Sequence, residues 1–207
     1  MATFTADTIN ILSQRIRDKS KIANQASSLA INKSATFSIR ESIERIISEV
    51  ALQPNYVRQN IRTVARASAN NLRAIVSANT RNTLLNRYPH VVTKTGVRVR
   101  INAKGGFKEI KGARIIRSLR GSGGPAIGVS NVDFARILSQ AGGVRTPRKS
   151  RKLQRALSRA RRKPYGMTPL SSRSINQLFT SVRVDIQPEL KRFMVSEFKS
   201  DFRRLSR

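Results

Sequence analysis

Apolar residues recur at helical spacing towards both ends of the chain and at strand spacing in its middle. Residues 5 to about 33 carry Ile9, Leu12 and Ile16 at helical intervals. Ala23, Ala26 and Ala30 then form a small-residue stripe that another backbone can approach closely. Ser38-Ile-Arg-Glu41 has the form of a capping box, so a second helix is expected there, with Ile39, Ile43, Ile46, Ile47 and Val50 on its apolar face. Pro54 predicts a break, and Asn55 a cap for a short helix through Val57 and Ile61.

From Asn71 the period changes to two. Leu72, Ala74, Val76 and Ala78 share one face, and Val97-Arg-Val-Arg-Ile101 alternates strictly, with Arg98 and Arg100 opposite the valines. Lys94-Thr-Gly96 and Lys104-Gly-Gly106 read as the bounding turns. Arg114–Arg117 and Pro125–Val129 read as further strands joined by Gly121-Ser-Gly-Gly124, giving a small antiparallel sheet of about four strands.

Helical spacing returns at Ser130 to Ala141, with Phe134, Ile137 and Leu138 inward and Gly142 as terminator. It persists in Leu153, Ala156, Leu157 and Ala160. Pro164–Pro169 reads as a turn or linker. Ile175, Leu178, Phe179 and Val182 mark one closing helix, and Leu190, Phe193, Met194, Phe198, Phe202 and Leu205 another beyond Pro188. The expected architecture is α+β. It divides into an N-terminal helical region (1–70), a small β-sheet region (71–129), a helix with an Arg-rich connection (130–170) and C-terminal helices (171–207).

Charge changes this picture most. Forty-one Lys and Arg face eleven acids, a formal net charge of +30. No carboxylate lies between Glu49 and Glu109 or between Asp133 and Asp185. Such an excess repels itself unless a polyanion or an acidic protein surface is near. The predominance of Arg over Lys favours bidentate contact with phosphate or carboxylate. The densest stretch holds ten basic residues and no acid: Arg145, Arg148, Lys149, Arg151, Lys152, Arg155, Arg159, Arg161, Arg162 and Lys163. As a helix it would turn Arg148, Arg151, Lys152, Arg155, Arg159 and Arg162 to one broad face and Leu153, Leu157 and Ala160 towards the other. That face suits a phosphate backbone or an acidic protein channel. With Arg98 and Arg100 these ten residues are the candidate binding set; the competing reading of the stretch is a solvated linker.

Catalytic chemistry finds little support. No cysteine is present, and His90 is the only histidine, so a His-rich metal site or a thiolate site cannot be assembled within one chain. No cofactor is expected. Gly121–Gly124 lacks the Gly-Lys-Ser/Thr continuation of a phosphate loop. Glu41 and Arg45 stand at i,i+4 as an ordinary surface pair. Residues 38–62 admit a helix-turn-helix with Arg58, Gln59 and Arg62 as contacts, although Pro54 makes a plain helical corner the better reading. Apolar runs are too short to span a bilayer, so no membrane role is expected.

Several stretches in order carry a family resemblance. They are Ala30-Ile-Asn-Lys-Ser-Ala-Thr-Phe-Ser-Ile-Arg40, Leu52-Gln-Pro-Asn-Tyr-Val-Arg-Gln-Asn-Ile61, Leu72–Ala78, Leu84-Leu-Asn-Arg-Tyr88, Lys94–Ile101, the Gly105-to-Leu119 stretch and Pro169–Phe179. Together they resemble the minor tail protein Z family of long-tailed phages, also called tail completion proteins. The resemblance implies a non-enzymatic virion component at the head-proximal end of the tail, assembled in the host cytoplasm. It further implies a homo-oligomeric ring around the DNA conduit. The implied partners are the tail terminator, tail tube and connector, with genomic DNA held independently of sequence. The segment from about Ser130 to Lys163 departs from the family's shorter connection. The alternative class is a cellular nucleic-acid-binding protein whose Arg-rich helix holds phosphate.

Overall fold

A computed structural model describes residues 6–117, 124–140 and 147–207, and within them the chain is α+β. These residues form two compact units, each gathered from separated stretches of sequence. The first combines the chain up to Ile46 with Val57–Thr80 and Ile175–Arg207; the second combines Ile47–Tyr56 with Arg81–Ser174.

The first unit is built on two long helices, α1 (Ala6–Glu49) and α5 (Ile175–Leu205). No Gly or Pro occurs between Ala6 and Glu49, so nothing in that stretch stops a helix about 66 Å long. The capping box at Ser38–Glu41 is therefore not a helix start. Ser38 donates its hydroxyl back to the Ala35 carbonyl (2.9 Å), as Ser42 does to Ser38 (2.6 Å), both inside the continuous helix. Glu41 pairs with Arg40 (3.2 Å), while Arg45 reaches Glu189 (2.9 Å). At the other end α5 absorbs Pro188 instead of dividing there. Proline removes the bond to the carbonyl of Val184, a residue 65% exposed, where water can substitute.

Cross-helix pairs fix the relation of α1 and α5 as antiparallel. Arg45 meets Glu189, Phe37 stacks on Phe193 (centroids 4.4 Å apart), and Lys33 bonds Glu197 (2.8 Å) and both oxygens of Asp201 (3.0 Å). Asp201, only 2% exposed, also accepts from Arg204 (3.1 Å). The unit is completed by a hairpin of β1 (Ile61–Ala65) and β2 (Ile75–Ala78), paired antiparallel with Ile61 opposite Ala78. Asn32 of α1 clamps the chain after β1, donating to the Ala67 carbonyl (2.9 Å) and accepting from its amide (2.8 Å). The core is aliphatic: Ala26, Ile46, Val57, Ile175, Leu178 and Val182 are all essentially inaccessible.

The short helix α2 (Pro54–Gln59) begins at Pro54, whose missing amide costs nothing in a first turn, so the proline opens the helix and Asn55 lies inside it. Ile61 and Arg62 belong to β1, so residues 38–62 form no helix-turn-helix.

Among its described residues the second unit carries eight strands. They are β3 (Asn82–Leu84), β4 (His90–Val92), β5 (Gly96–Val99), β6 (Lys108–Lys111), β7 (Arg114–Ile116), β8 (Ala126–Ser130), β9 (Met167–Pro169) and β10 (Ser171–Ser174). The expected single sheet is in fact three small antiparallel ones here, β10-β3, β4-β5-β6 and β7-β8-β9, and the β1-β2 hairpin of the first unit makes a fourth. The stretch read as a Pro164–Pro169 linker supplies β9, an edge strand where proline is tolerated. A Cβ on Gly128 of β8 would stand 2.4 Å from the Ile116 side chain and 2.8 Å from the Thr168 carbonyl, so glycine lets both neighbours close on it. Tyr88, Val97, Ile127 and Val129 form the buried centre. The expected Gly142 terminator and most of the Gly121–Gly124 turn lie outside the described residues.

The Lys33–Asp201 contact should be a measurable tie. Lys33→Met is expected to lower stability by about 1–3 kcal/mol, because Asp201 stays buried with only Arg204 to answer it. Hydrogen bonds from Lys33 to Glu197 and then Asp201 raise the lysine's pKa above its ordinary 10.5. The contribution is therefore present throughout neutral pH and fades only as pH rises through that raised value. Urea midpoints of wild type and variant, compared at pH 7 and above pH 10.5, measure it; a variant as stable as wild type at pH 7 would rule the tie out.

Candidate functional site

Helix α3 (Asn131–Gln140) and helix α4 (Pro147–Arg162) form the hairpin that carries the basic stretch. Ser130 caps α3, accepting from the Asp133 amide (3.0 Å) and donating to its carboxylate (2.7 Å). Asp133 also holds Arg136 (2.7 Å). The expected inward residues of α3, Phe134, Ile137 and Leu138, are each half-buried beside a fully buried Ala135. α3 packs along α4. The buried side of α4 is Leu153, Ala156 and Ala160; Leu157, expected inward, is 44% exposed because it sits one residue round from Ala156 towards solvent.

The end of α4 is pinned by a buried polar knot. Asn131 donates its side-chain amide to the Lys163 carbonyl (2.8 Å) and accepts from the Thr168 hydroxyl (2.6 Å). Its backbone amide donates to the Gly166 carbonyl (2.7 Å), and the Gly166 amide donates to Lys163 (3.1 Å). Helix α4 is thus held at one end by hydrogen bonds and along one side by apolar packing, which leaves its outer side to the arginines.

Of the six residues expected on this face, Arg151, Arg155, Arg159 and Arg162 are exposed. Arg151, Arg155, Arg159, Arg161, Arg162 and Lys163 are exposed, and no ion pair among the described residues involves them. Arg151, Arg155, Arg159 and Arg162 follow one stripe that rises about 16 Å along the helix. Arg148, Lys149 and Lys152 lie within α4. Arg145 lies outside the described residues.

The sheet arginines behave differently. Arg98 is exposed on β5 but stands opposite Glu109 of β6 in register. Hydrogen bonds from Thr95 first, then Thr93, together with the charges of Lys111 and Arg98, hold the Glu109 carboxyl below its ordinary pKa. Arg98 thus has an acid to answer it within the fold. The strand expected to run to Ile101 ends at Val99, so Arg100 lies just beyond β5; it is half-buried, with its guanidinium 5.6 Å above the Phe107 ring. Among the twelve candidate residues, Arg98 and Arg100 have local partners, while the exposed arginines of α4 have no ion pair among the described residues.

His90 is exposed, its Nδ1 2.8 Å from the Tyr88 carbonyl. Among the described residues no group of three or more His, Cys, Asp or Glu could hold a metal ion, and no helix is long and apolar enough to cross a membrane.

Sequence reasoning missed a second basic area on α5, where Ser196, Lys199, Ser200, Arg203, Arg204 and Arg207 line a shallow cleft of about 490 Å³. Its cations are diluted along the sequence by apolar residues and acids, and only the helix gathers them. No protein-family model, curated protein or solved structure matches the chain.

The polar knot generates a sharp expectation. A Cβ at Gly166 would lie 2.7 Å from the Asn131 amide nitrogen and 3.2 Å from the Lys163 carbonyl. Gly166→Ala, like Asn131→Ala, is expected to cost about 1–3 kcal/mol and to loosen α4 without unfolding the first unit. Hydrogen exchange resolved by peptide checks this: faster exchange over residues 153–163 with α1 and α5 unchanged is expected, and unaltered protection of α4 would refute the anchoring role.

Proposed function

We propose that this protein is a non-enzymatic structural component of a phage virion, a tail-completion protein near the head-proximal end of the tail. The single observation that carries the proposal is the acid-free arginine stripe of α4, held rigid by the Asn131 knot. The sequence resemblance given above supplies the setting. A surface of fixed, uncompensated guanidinium groups holds polyanions by phosphate or carboxylate contact without reading sequence. Copies arranged as a ring would turn such surfaces towards a DNA conduit or towards acidic walls of the tail terminator, tail tube and connector.

Binding of this kind has a characteristic salt dependence. If about six phosphates are neutralised, the slope of log K against log salt for a short duplex should lie near −5, and sequence should not matter. Replacing Arg151, Arg155 and Arg159 together by Gln should reduce the magnitude of that slope by about 3. Titrations of labelled duplexes of unrelated sequence between 50 and 200 mM salt, both values as order-of-magnitude brackets, provide the measurement. Co-expression with a tail tube and a tail terminator protein should give a complex that sediments as one species. Tight, sequence-selective or RNA-selective binding by the isolated chain, with no co-assembly, would instead establish the cellular nucleic-acid binder.

A further inference from the structure

The antiparallel helices α1 and α5 do not close on each other along their whole length. Between them, with Leu72 and Ala74 ahead of β2 and Val76 within it as a third wall, runs an open trough in the first unit. Two adjoining hollows of about 440 and 450 Å³ share Ile31 and Met194, and so form one channel. It extends from Ser27 to Ser42 of α1, about 22 Å, the length of four helical turns. Its α1 wall is made of small side chains, including Ala30, Ala35 and Ser38, which allow a backbone to come close. Its rim is apolar and open: Leu72 is 44% exposed, Met194 38% and Val195 50%.

The charge of the lining says what fits there. The charged side chains lining the trough are Arg183, Lys191 and Lys199, all cations spaced along α5, with no acid among them. A second copy of this chain is a poor occupant, because its surface is itself strongly cationic.

We propose that the trough is a docking site for an amphipathic helix of about four turns, apolar on one face and acidic on its flank, supplied by another protein. The apolar face would lie on Met194, Val195, Phe198 and Leu72, and its carboxylates would meet Lys191, Lys199 and Arg183. The proposal takes from the assembly role above only the expectation that protein neighbours exist; its chemistry is independent of α4.

The test uses a synthetic sixteen-residue probe (an approximate length match) with Leu at helical spacing and Glu on the flank, and a second probe with Lys in place of Glu. Fluorescence anisotropy with the full chain should show saturable binding of the Glu probe and roughly tenfold or weaker binding of the Lys probe. Lys191→Glu with Lys199→Glu, both at exposed positions, should invert that preference, and Leu72→Asp at the rim should weaken both probes. The Arg151/Arg155/Arg159→Gln variant should bind the Glu probe as wild type does, while the Leu72→Asp variant should retain the duplex titration of the wild type. Equal binding of both probes, or none, would overturn the proposal while leaving the α4 reading standing. Displacement of the probe by duplex DNA would assign the trough to nucleic acid, and loss of a dimer in Leu72→Asp would assign it to self-association; either outcome also overturns it.

Discussion

Eleven carboxylates stand against forty-one basic side chains, and where the fold places those few acids decides what the rest of the surface can do. Glu41, Glu189, Glu197 and Asp201 all lie on α1 and α5, three of them in pairs that join the two helices. Exposed pairs of this kind contribute little singly. Asp201 is the exception, since it is buried between Lys33 and Arg204 and cannot be left without both. The few acids elsewhere, such as Glu109 and Asp133, are engaged close to their own elements. Helix α4 has no acid in its sequence, and no ion pair among the described residues involves its arginines.

Rigidity matters as much as charge. An arginine-rich strand of loop would have to lose its conformational freedom on binding, and that entropy would oppose the contact. Here the entropy is lost during folding instead, through Ala156 and Leu153 packed against α3 and through the Asn131–Thr168–Lys163 hydrogen bonds. Folding therefore fixes the spacing of Arg151, Arg155, Arg159 and Arg162 before any partner arrives. The same logic separates Arg98 and Arg100 from the stripe. Glu109 and Phe107 already engage them, so they stabilise their sheet first.

Much of this was legible in the sequence because it is local. The face shared by Ala74, Val76 and Ala78, the alternation through Val97 and Val99, and the inward residues of α3 need only neighbours along the chain to appear, whereas Leu72, ahead of β2, and Leu157 of α4 are each 44% exposed against expectation. Capping was misread at Ser38 because a hydroxyl three residues before a glutamate looks the same whether it begins a helix or back-bonds within one. No Gly or Pro was present to end the preceding helix, and that absence was the better signal. Pro188 misled in the opposite direction, since an exposed helix surface tolerates a proline that the pattern alone treats as a stop. The trough between α1 and α5 could not be read at all. It depends on Lys33 finding Asp201 and Phe37 finding Phe193, contacts more than 150 residues apart in sequence.

The central claim is that α4 carries fixed positive charge that the folded chain does not neutralise. The most direct measurement is the unfolding temperature at low ionic strength with and without short-chain inorganic polyphosphate, in wild type and in the Arg151/Arg155/Arg159→Gln variant. Polyphosphate should raise the wild-type midpoint by several degrees, roughly what about 1–2 kcal/mol of linked binding gives a domain of this size, and should raise the variant's clearly less. An unchanged wild-type midpoint, or an equal rise in both proteins, would contradict the claim.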